Sequence, residues 1–280
     1  MKRFSDRVAV ITGAASGLGR ALAARFACAG AKLVLVDIEA ASLAKTCAEL
    51  EATGANAIAV RCDVSQAAEV DQLAQKALHE FGAVHIVCNN AGVAPLGAVW
   101  ENTEADWRWA LGVNLWGVVH GVRVFTPILL AQNDEGHIVN TASVAGLISA
   151  PGMGVYNVTK HAVVALSEAL HHDLAAKTQS VKCSVVCPAY FPSGIADSER
   201  NRPLELRSER AKSAADLARE AMLRKATQSG KLTADDIANA VFEAVRDERF
   251  YVLTHPRIKP AIEARMRDIL DERSPTNPLG

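Results

Sequence analysis

The sequence predicts an α/β fold in which helices cover both faces of one doubly wound parallel β-sheet. Short apolar runs alternate with longer helical patterns along nearly the whole chain. The runs lack polar alternation, as expected of parallel strands that are buried on both faces. The 280 residues are half hydrophobic, which suits a single large domain. We therefore expect one domain over residues 1–280, with right-handed crossovers between its strands.

A glycine-rich loop follows the first apolar run. Residues 7–12 predict a strand, the loop reads TGAASGLG, and an alanine-rich helix then ends at Gly30. Glycines in this position let the backbone approach a pyrophosphate, and the free N–H groups of the helix start point at its charge. The sequence therefore predicts a Rossmann-type dinucleotide site. Its loop residues are Gly13, Ser16, Gly17, Leu18 and Gly19.

The second apolar run ends at Asp37, eighteen residues after Gly19. A carboxylate at this position accepts a hydrogen bond from a free ribose 2'-hydroxyl and repels a 2'-phosphate. Ile38 stands where an arginine could bind that phosphate, and the glycine loop has no basic residue. We therefore expect NAD(H) in preference to NADP(H). A helix-capping role for Asp37 is compatible with either cofactor, and Arg20 is the residue that would favour NADP(H).

Two later strand ends supply further cofactor contacts. Residues 56–64 predict a strand that ends on Asp63 and Val64, where a side-chain oxygen and the backbone could hold an adenine ring. Ser65 is the expected N-cap of the following helix, and Gly82 its stop. Residues 84–88 predict the fourth strand. It leads to small and amide side chains that suit packing against a dinucleotide, at Asn90, Ala91 and Gly92.

Residues 104–132 predict one long helix that is apolar around most of its circumference, so it needs a partner in this domain or in another subunit. Asn114 lies inside it, either as a satisfied core amide or as a local distortion that binds a water. Later strands are expected over residues 136–143, 180–188 and 249–255. Later helices are expected over residues 156–177, 235–247 with Thr233 as cap, and 260–272.

A serine, a tyrosine and a lysine follow the fifth strand. Tyr156 and Lys160 are four residues apart, so a helix places both on one face. Lowering the phenol pKa by roughly three units needs ~4 kcal/mol, about what a cation 4 Å away supplies at a dielectric constant near 20. We expect Lys160 to lower the pKa of Tyr156, and Ser143 to hydrogen-bond the same substrate oxygen. Alone, this spacing more often marks an ordinary helical turn, but the glycine loop upstream favours catalysis.

With all of these motifs in order, the chain resembles the short-chain dehydrogenase/reductase family over about residues 7–250. The resemblance implies a catalytic tetrad of Asn114, Ser143, Tyr156 and Lys160. Tyr156 would be the general acid/base and Ser143 would polarise the substrate oxygen. Lys160 would lower the tyrosine pKa and hold the nicotinamide ribose, while Asn114 would keep a water in a proton relay to solvent.

The resemblance also implies cofactor contacts from Tyr156 and Lys160 and from the loop after the sixth strand, at Pro188, Phe191 and Ser193. This chain has Ala189 where the family usually has glycine, which makes contacts of that loop less secure. No metal is required, in agreement with the absence of a metal-ligand cluster in the sequence. A homodimer through residues 104–130 and 156–177 is expected, with a tetramer as the alternative.

Composition excludes several other classes. The net charge of −1 and the scattered basic residues argue against nucleic acid or an anionic membrane as a partner. The chain begins without a signal peptide and has no uninterrupted apolar stretch of ~18 residues, so we expect a soluble cytoplasmic protein. Its six cysteines show no metal or disulfide spacing and are expected to be reduced, buried hydrophobes.

The expected substrate is a hydrophobic secondary alcohol or ketone, because the residues expected to wall its pocket are largely apolar: Val93, Pro95, Val144, Leu147, Met153, Tyr190 and Phe191. A lid is expected at about residues 194–230 and a C-terminal helical extension at about residues 256–280. The basic lid residues suit either an acyl carrier or a solvated helix face: Arg200, Arg202, Arg207, Arg210 and Lys212. Alternative functions are an NADP(H)-dependent carbonyl or 3-oxoacyl thioester reductase and a non-catalytic nucleotide sensor or scaffold.

Overall fold

A computed structural model describes residues 1–207 and 213–279. Over these residues the strands form one parallel sheet in the order β3-β2-β1-β4-β5-β6-β7. From β1 the strands are added outward on one side as β2 and β3, and from β4 onward they are added on the other side of β1. This strand order confirms the doubly wound fold. The strands are β1 Val8–Thr12, β2 Lys32–Asp37, β3 Ala57–Arg61, β4 Ile86–Asn89, β5 Gly136–Thr141, β6 Val181–Val186 and β7 Tyr251–Val252.

Helices flank this sheet on both faces. They are α1 Gly17–Cys28, α2 Ala40–Glu51, α3 Ala67–Phe81, α4 Glu104–Ala110, α5 Gly117–Ala131, α6 Gly154–Lys177, α7 Ala214–Gln228, α8 Ala234–Asp247 and α9 Lys259–Leu270. Short 3-10 turns lie at Val144–Gly146, Gly194–Asn201, Leu204–Leu206 and Pro256–Ile258.

Two apolar cores explain why the strands are apolar throughout. Neighbouring strand residues point to opposite faces, so Ile11 packs with α1 and α8 whereas Val10 packs with α3 and α5. All five residues of β1 are buried. Burial on both faces therefore requires the apolar runs that the sequence shows.

Several expected boundaries were wrong. The third strand ends at Arg61 instead of Val64, and the last strand is only two residues long. Ser65 is not a helix cap: its N–H and Oγ both donate to Asp63 Oδ1, and this turn delays α3 until Ala67. The capping role of Thr233 is confirmed, because its Oγ1 accepts from Asp236 N.

The expected long helix is divided by a π-helical segment, Leu111–Trp116, that joins α4 to α5 and contains Asn114. Within the described residues, Glu104–Ala131 is long and apolar enough to cross a membrane, a test that core helices of soluble proteins also pass. Here α5 packs on α3 and on strands β4 and β5.

Cys28 is exposed at the end of α1, so the prediction of buried cysteines is wrong for this residue and right for the other five. In the expected lid, Arg210 and Lys212 lie outside the described residues.

Candidate active site

A cavity of about 380 Å³ lies at the carboxyl ends of the strands, beside the point where the strand order reverses. Clefts at this point of an open parallel sheet are where such folds bind ligands. The cavity runs from the glycine loop to the start of α6. All the site residues expected from the sequence line it, with the exception of Gly19 and Asn114, which lie behind its wall.

The glycine loop is folded tightly at the start of α1. Gly13 and Gly17 adopt φ values of +70° and +50°, which favour glycine. A Cβ on Gly19 would lie 2.0 Å from Gly13 O, so this position has room only for glycine. Ser16, the N-cap of α1, makes no side-chain capping bond. The N–H groups of the helix start therefore have no capping side chain to accept their hydrogen bonds.

Asp37 is fixed between this loop and α2. Its Oδ2 accepts from Ala15 N and its Oδ1 from Glu39 N, both at 3.0 Å. The N-cap position of α2 is Glu39, so Asp37 does not occupy the cap. Arg20 donates to Glu49 on α2 and does not line the cavity. Asp37, which lines the cavity, therefore has no positive charge from Arg20 beside it.

The end of β4 is attached to the glycine loop through Thr12. Its Oγ1 accepts from Asn90 N at 2.8 Å and from Ala91 N at 3.0 Å, while Asn90 Nδ2 donates to Thr12 O. Gly92 then passes close to the proposed catalytic groups, since a Cβ placed on it would lie 3.6 Å from Lys160 Nζ. These bonds hold the loop after β4 along one wall of the cleft.

The serine, tyrosine and lysine come together beyond this wall. Lys160 is 3% exposed, its Nζ donates to Thr141 O at 2.9 Å, and it lies 5.7 Å from the centroid of the Tyr156 ring. Ser143 Oγ accepts from Ala145 N and donates to Pro188 O. The expected helical placement of Tyr156 and Lys160 on one side of α6 therefore agrees with the structure.

Asn114 is fully buried and makes three side-chain hydrogen bonds. Its amide accepts from Val93 N, donates to Val93 O and donates to Thr159 Oγ1. Both sequence alternatives thus hold in part: the amide is satisfied by protein atoms, and the surrounding helix is distorted into the π form. In this arrangement Asn114 attaches the π-helical segment to the loop after β4.

The pKa values of the two central groups are governed by burial. Desolvation raises the pKa of Tyr156 to about 12, against a lowering contribution from the Ser143 hydroxyl. Desolvation also lowers the pKa of Lys160 to about 8. Burial therefore outweighs every lowering contribution in the protein chain by itself, and the expectation that Lys160 lowers the tyrosine pKa stays a prediction. The ammonium is directed to Thr141 O, and the cost of burying a phenolate exceeds its attraction.

Apolar side chains make up much of the remaining lining of the cavity. Sequence analysis identified part of this wall but missed the residues that come from the end of the chain, Ile258, Pro278 and Leu279. The tail returns because Asp268 in α9 accepts hydrogen bonds from Thr276 N at Oδ2 and from Arg273 N at its carbonyl. No local sequence signal predicts this return. The remaining apolar and aromatic residues here are Trp109, Val113, Val144, Ile148, Ala150, Met153, Tyr190 and Leu223.

The lid is docked on this wall by buried polar contacts. Ser198 Oγ accepts from Ala94 N, and Arg202 forms an ion pair with Asp106 at 2.8 Å. Arg202 also stacks over the Trp109 ring, with 4.2 Å between its Cζ and the ring centroid. Because its guanidinium is 4% exposed and already paired, Arg202 belongs neither to an acyl-carrier grip nor to a solvated face.

Comparisons with known proteins agree on one family. A profile of the family described as short chain dehydrogenase matches residues 7–203. The chain is 36% identical to the CLA biosynthesis dehydrogenase/reductase of Lactiplantibacillus plantarum over 98% of this chain and 97% of that protein. It is 35% identical to a 1-deoxy-11-beta-hydroxypentalenate dehydrogenase of Streptomyces exfoliatus, over 96% of this chain and 89% of that protein.

A solved structure is also close. The crystal structure of a short chain dehydrogenase/reductase from Burkholderia phymatum, in complex with NAD, superposes with a TM-score of 0.98. The two chains are 53% identical, and the match covers 100% of each.

Proposed function

The chain belongs to the short-chain dehydrogenase family and is thus an oxidoreductase, and we propose that it uses NAD(H) to interconvert a hydrophobic secondary alcohol and its ketone. The observation that carries this proposal is the single cavity that the glycine loop shares with Ser143, Tyr156 and Lys160. A nucleotide site alone would not need a buried lysine beside a tyrosine at its far end. An alternative role as a nucleotide sensor or scaffold therefore has less support.

The residues of the cleft fit NAD(H). The uncapped N–H groups at the start of α1 suit a pyrophosphate, and Asp37 suits the free hydroxyls of the adenosine ribose. Asp63, Val64 and Phe191 line the same cavity. The Burkholderia relative, which binds NAD, supports the same cofactor here. When bound, NAD⁺ supplies a hydride acceptor and a positive charge.

Tyr156 is proposed to carry the proton. With a pKa of about 12 the phenol is protonated at neutral pH, so it can donate a proton to a carbonyl oxygen during reduction. Ser143 is proposed to polarise that oxygen, and this role is supported by its position in the cavity lining and its hydrogen bond with Tyr156. Lys160, with a pKa of about 8, remains mostly charged at pH 7 and favours the phenolate that forms as the proton leaves.

The substrate is proposed to be hydrophobic because much of the cavity lining is apolar. Met153, Trp109 and Ile148 line the cavity, together with Tyr190 from the loop after β6. The relative named for a hydroxypentalenate supports a hydroxylated carbon as the reacting centre. A homodimer through residues 104–130 and 156–177 is part of the proposal, because Trp116 at the end of the π-helical segment and Val158 in α6 are exposed apolar residues.

The test is a substrate panel with matched tyrosine variants. Wild-type protein is assayed with NAD⁺ or NADH on aryl carbinols, hydroxysteroids, 3-hydroxyacyl thioesters and the corresponding ketones. Tyr156→Phe should lose at least about 100-fold in kcat while retaining NADH binding, since general acid/base catalysis contributes that much. Tyr251→Phe is the control, because Tyr251 is exposed and bonds Glu168 outside the cavity.

Undiminished turnover by Tyr156→Phe would remove Tyr156 from the mechanism. A wild type that binds NADH but converts no member of the panel would favour the sensor or scaffold.

A further inference from the structure

The lid brings an arginine to the adenosine end of the cleft. Arg200 donates from Nη2 and Nε to Glu39 Oε1 at 2.6 and 2.9 Å, across 161 residues of sequence. Asn201 Nδ2 donates to the same oxygen at 2.7 Å. Burial alone would raise the pKa of Glu39, but the bonds from Asn201 and Arg200 lower it. Glu39 is therefore a carboxylate at neutral pH, and it holds the lid to the start of α2.

This ion pair borders the site expected to bind the adenosine ribose. Glu39 lies two residues after Asp37, and Arg200, Glu39, Asp37 and Ser16 all line the same cavity. A Cβ placed on Gly194 would lie 3.6 Å from Arg200 Nη2 and 3.8 Å from Ser16 Oγ. The guanidinium and the glycine loop thus face one gap. The loop itself carries no basic residue, so Arg200 provides a positive charge that the loop lacks.

We propose that Glu39 and Arg200 together set the discrimination between NADH and NADPH, an inference that rests on the proposed cofactor binding. A 2'-phosphate on the adenosine ribose carries negative charge and prefers a planar guanidinium as its partner. In this chain Glu39 already occupies that guanidinium and neutralises its charge. The phosphate therefore meets a paired arginine where a free arginine would bind it.

Neutralising Glu39 should increase the affinity for NADPH relative to the affinity for NADH. Glu39→Gln keeps the side-chain length, removes the competing charge and leaves Arg200 with its backbone contacts to Gly194 O and Asp197 O. Those contacts keep the guanidinium near the gap. Because a hydrogen bond to a charged group is stronger than a neutral one, we expect NADPH affinity to increase about tenfold relative to NADH. The effect should diminish at high salt, since both side chains are partly exposed.

The experiment is a double-mutant cycle read by equilibrium binding. Dissociation constants of NADH and NADPH are measured by fluorescence titration for the wild type, Glu39→Gln, Arg200→Gln and the double variant. Asp247→Asn is the matched control, because Asp247 pairs with Arg246 at similar exposure on α8, outside the cavity. Circular dichroism checks that each variant is folded.

The proposal expects Glu39→Gln to tighten NADPH with little change for NADH, and Arg200→Gln to remove this gain in the double variant. Equal changes for both cofactors would overturn it, since they would show that the pair only closes the lid over parts common to both. A gain that persists in the double variant would also overturn it, because repulsion by Glu39 would then act without Arg200. A wild type that binds neither cofactor would instead refute the proposed function on which the inference rests.

Discussion

Replacement of Lys160 by methionine tests the burial of its charge. Lys160→Met removes the ammonium while preserving much of the side-chain volume. In the folded protein burial lowers the lysine pKa from 10.5 to about 8. At pH values between about 8 and 10.5, Lys160 is protonated in the unfolded chain but has released its proton in the folded protein. The free energy of unfolding of the wild type must therefore rise with pH relative to the variant. Below about pH 8 both states hold the proton, and the penalty is constant.

The size of this effect follows from the shift. Each pKa unit corresponds to about 1.4 kcal/mol, so between pH 7 and pH 10 the wild type should gain roughly 2 to 3 kcal/mol over Lys160→Met. Loss of the hydrogen bond to Thr141 O lowers the stability of the variant by an amount that does not change with pH, because any difference between the ammonium and the neutral amine as donors is already contained in the pKa shift. Urea unfolding of both proteins at pH 7, 8, 9 and 10 measures the difference. Parallel stability curves would refute the reasoning, since Lys160 would then titrate alike in the folded and unfolded states.

Two further predictions concern the walls of the cavity. Gly19→Ala should abolish NADH binding and lower the melting temperature, because the new Cβ would lie 2.0 Å from Gly13 O. Gly112→Ala is the control, because its Cβ would meet only the Ser65 side chain, at 3.3 Å. Normal NADH titration by Gly19→Ala would contradict the loop geometry. Deletion of residues 274–280 should raise the KM of a hydrophobic substrate roughly threefold to tenfold through loss of Leu279 as an apolar wall, while the NADH dissociation constant stays unchanged. An unchanged KM would remove the tail from the substrate site.

Local patterns were sufficient for most of the fold. The apolar runs identified the strands because a buried parallel strand cannot alternate with polar residues, although the expected ends differ from the observed ones by one to three residues. Ser65 was misassigned because a serine before a helix resembles a cap, whereas the neighbouring Asp63 takes its hydrogen bonds. The position of Cys28 on the exposed side of α1 depends on which face packs against α8, which composition does not show.

The candidate site was predicted to a similar extent. The glycine loop and the spacing of Tyr156 and Lys160 are local features, so the sequence contained them in full. The pKa of Tyr156 could not be predicted in the same way. Spacing gives the distance between two groups, but the cost of burying a charge depends on every atom that excludes water around it.

The sequence by itself determined the family, the order of strands and helices, and the residues around which a nicotinamide site could form. Only the tertiary structure showed that Arg200 reaches Glu39 and that Leu279 returns to the cavity. The physical reason is the separation along the sequence over which each kind of interaction acts. Turns, caps and periodicity act over a few residues, whereas ion pairs and apolar walls form between segments far apart in the chain, whose meeting depends on the packing of the whole domain.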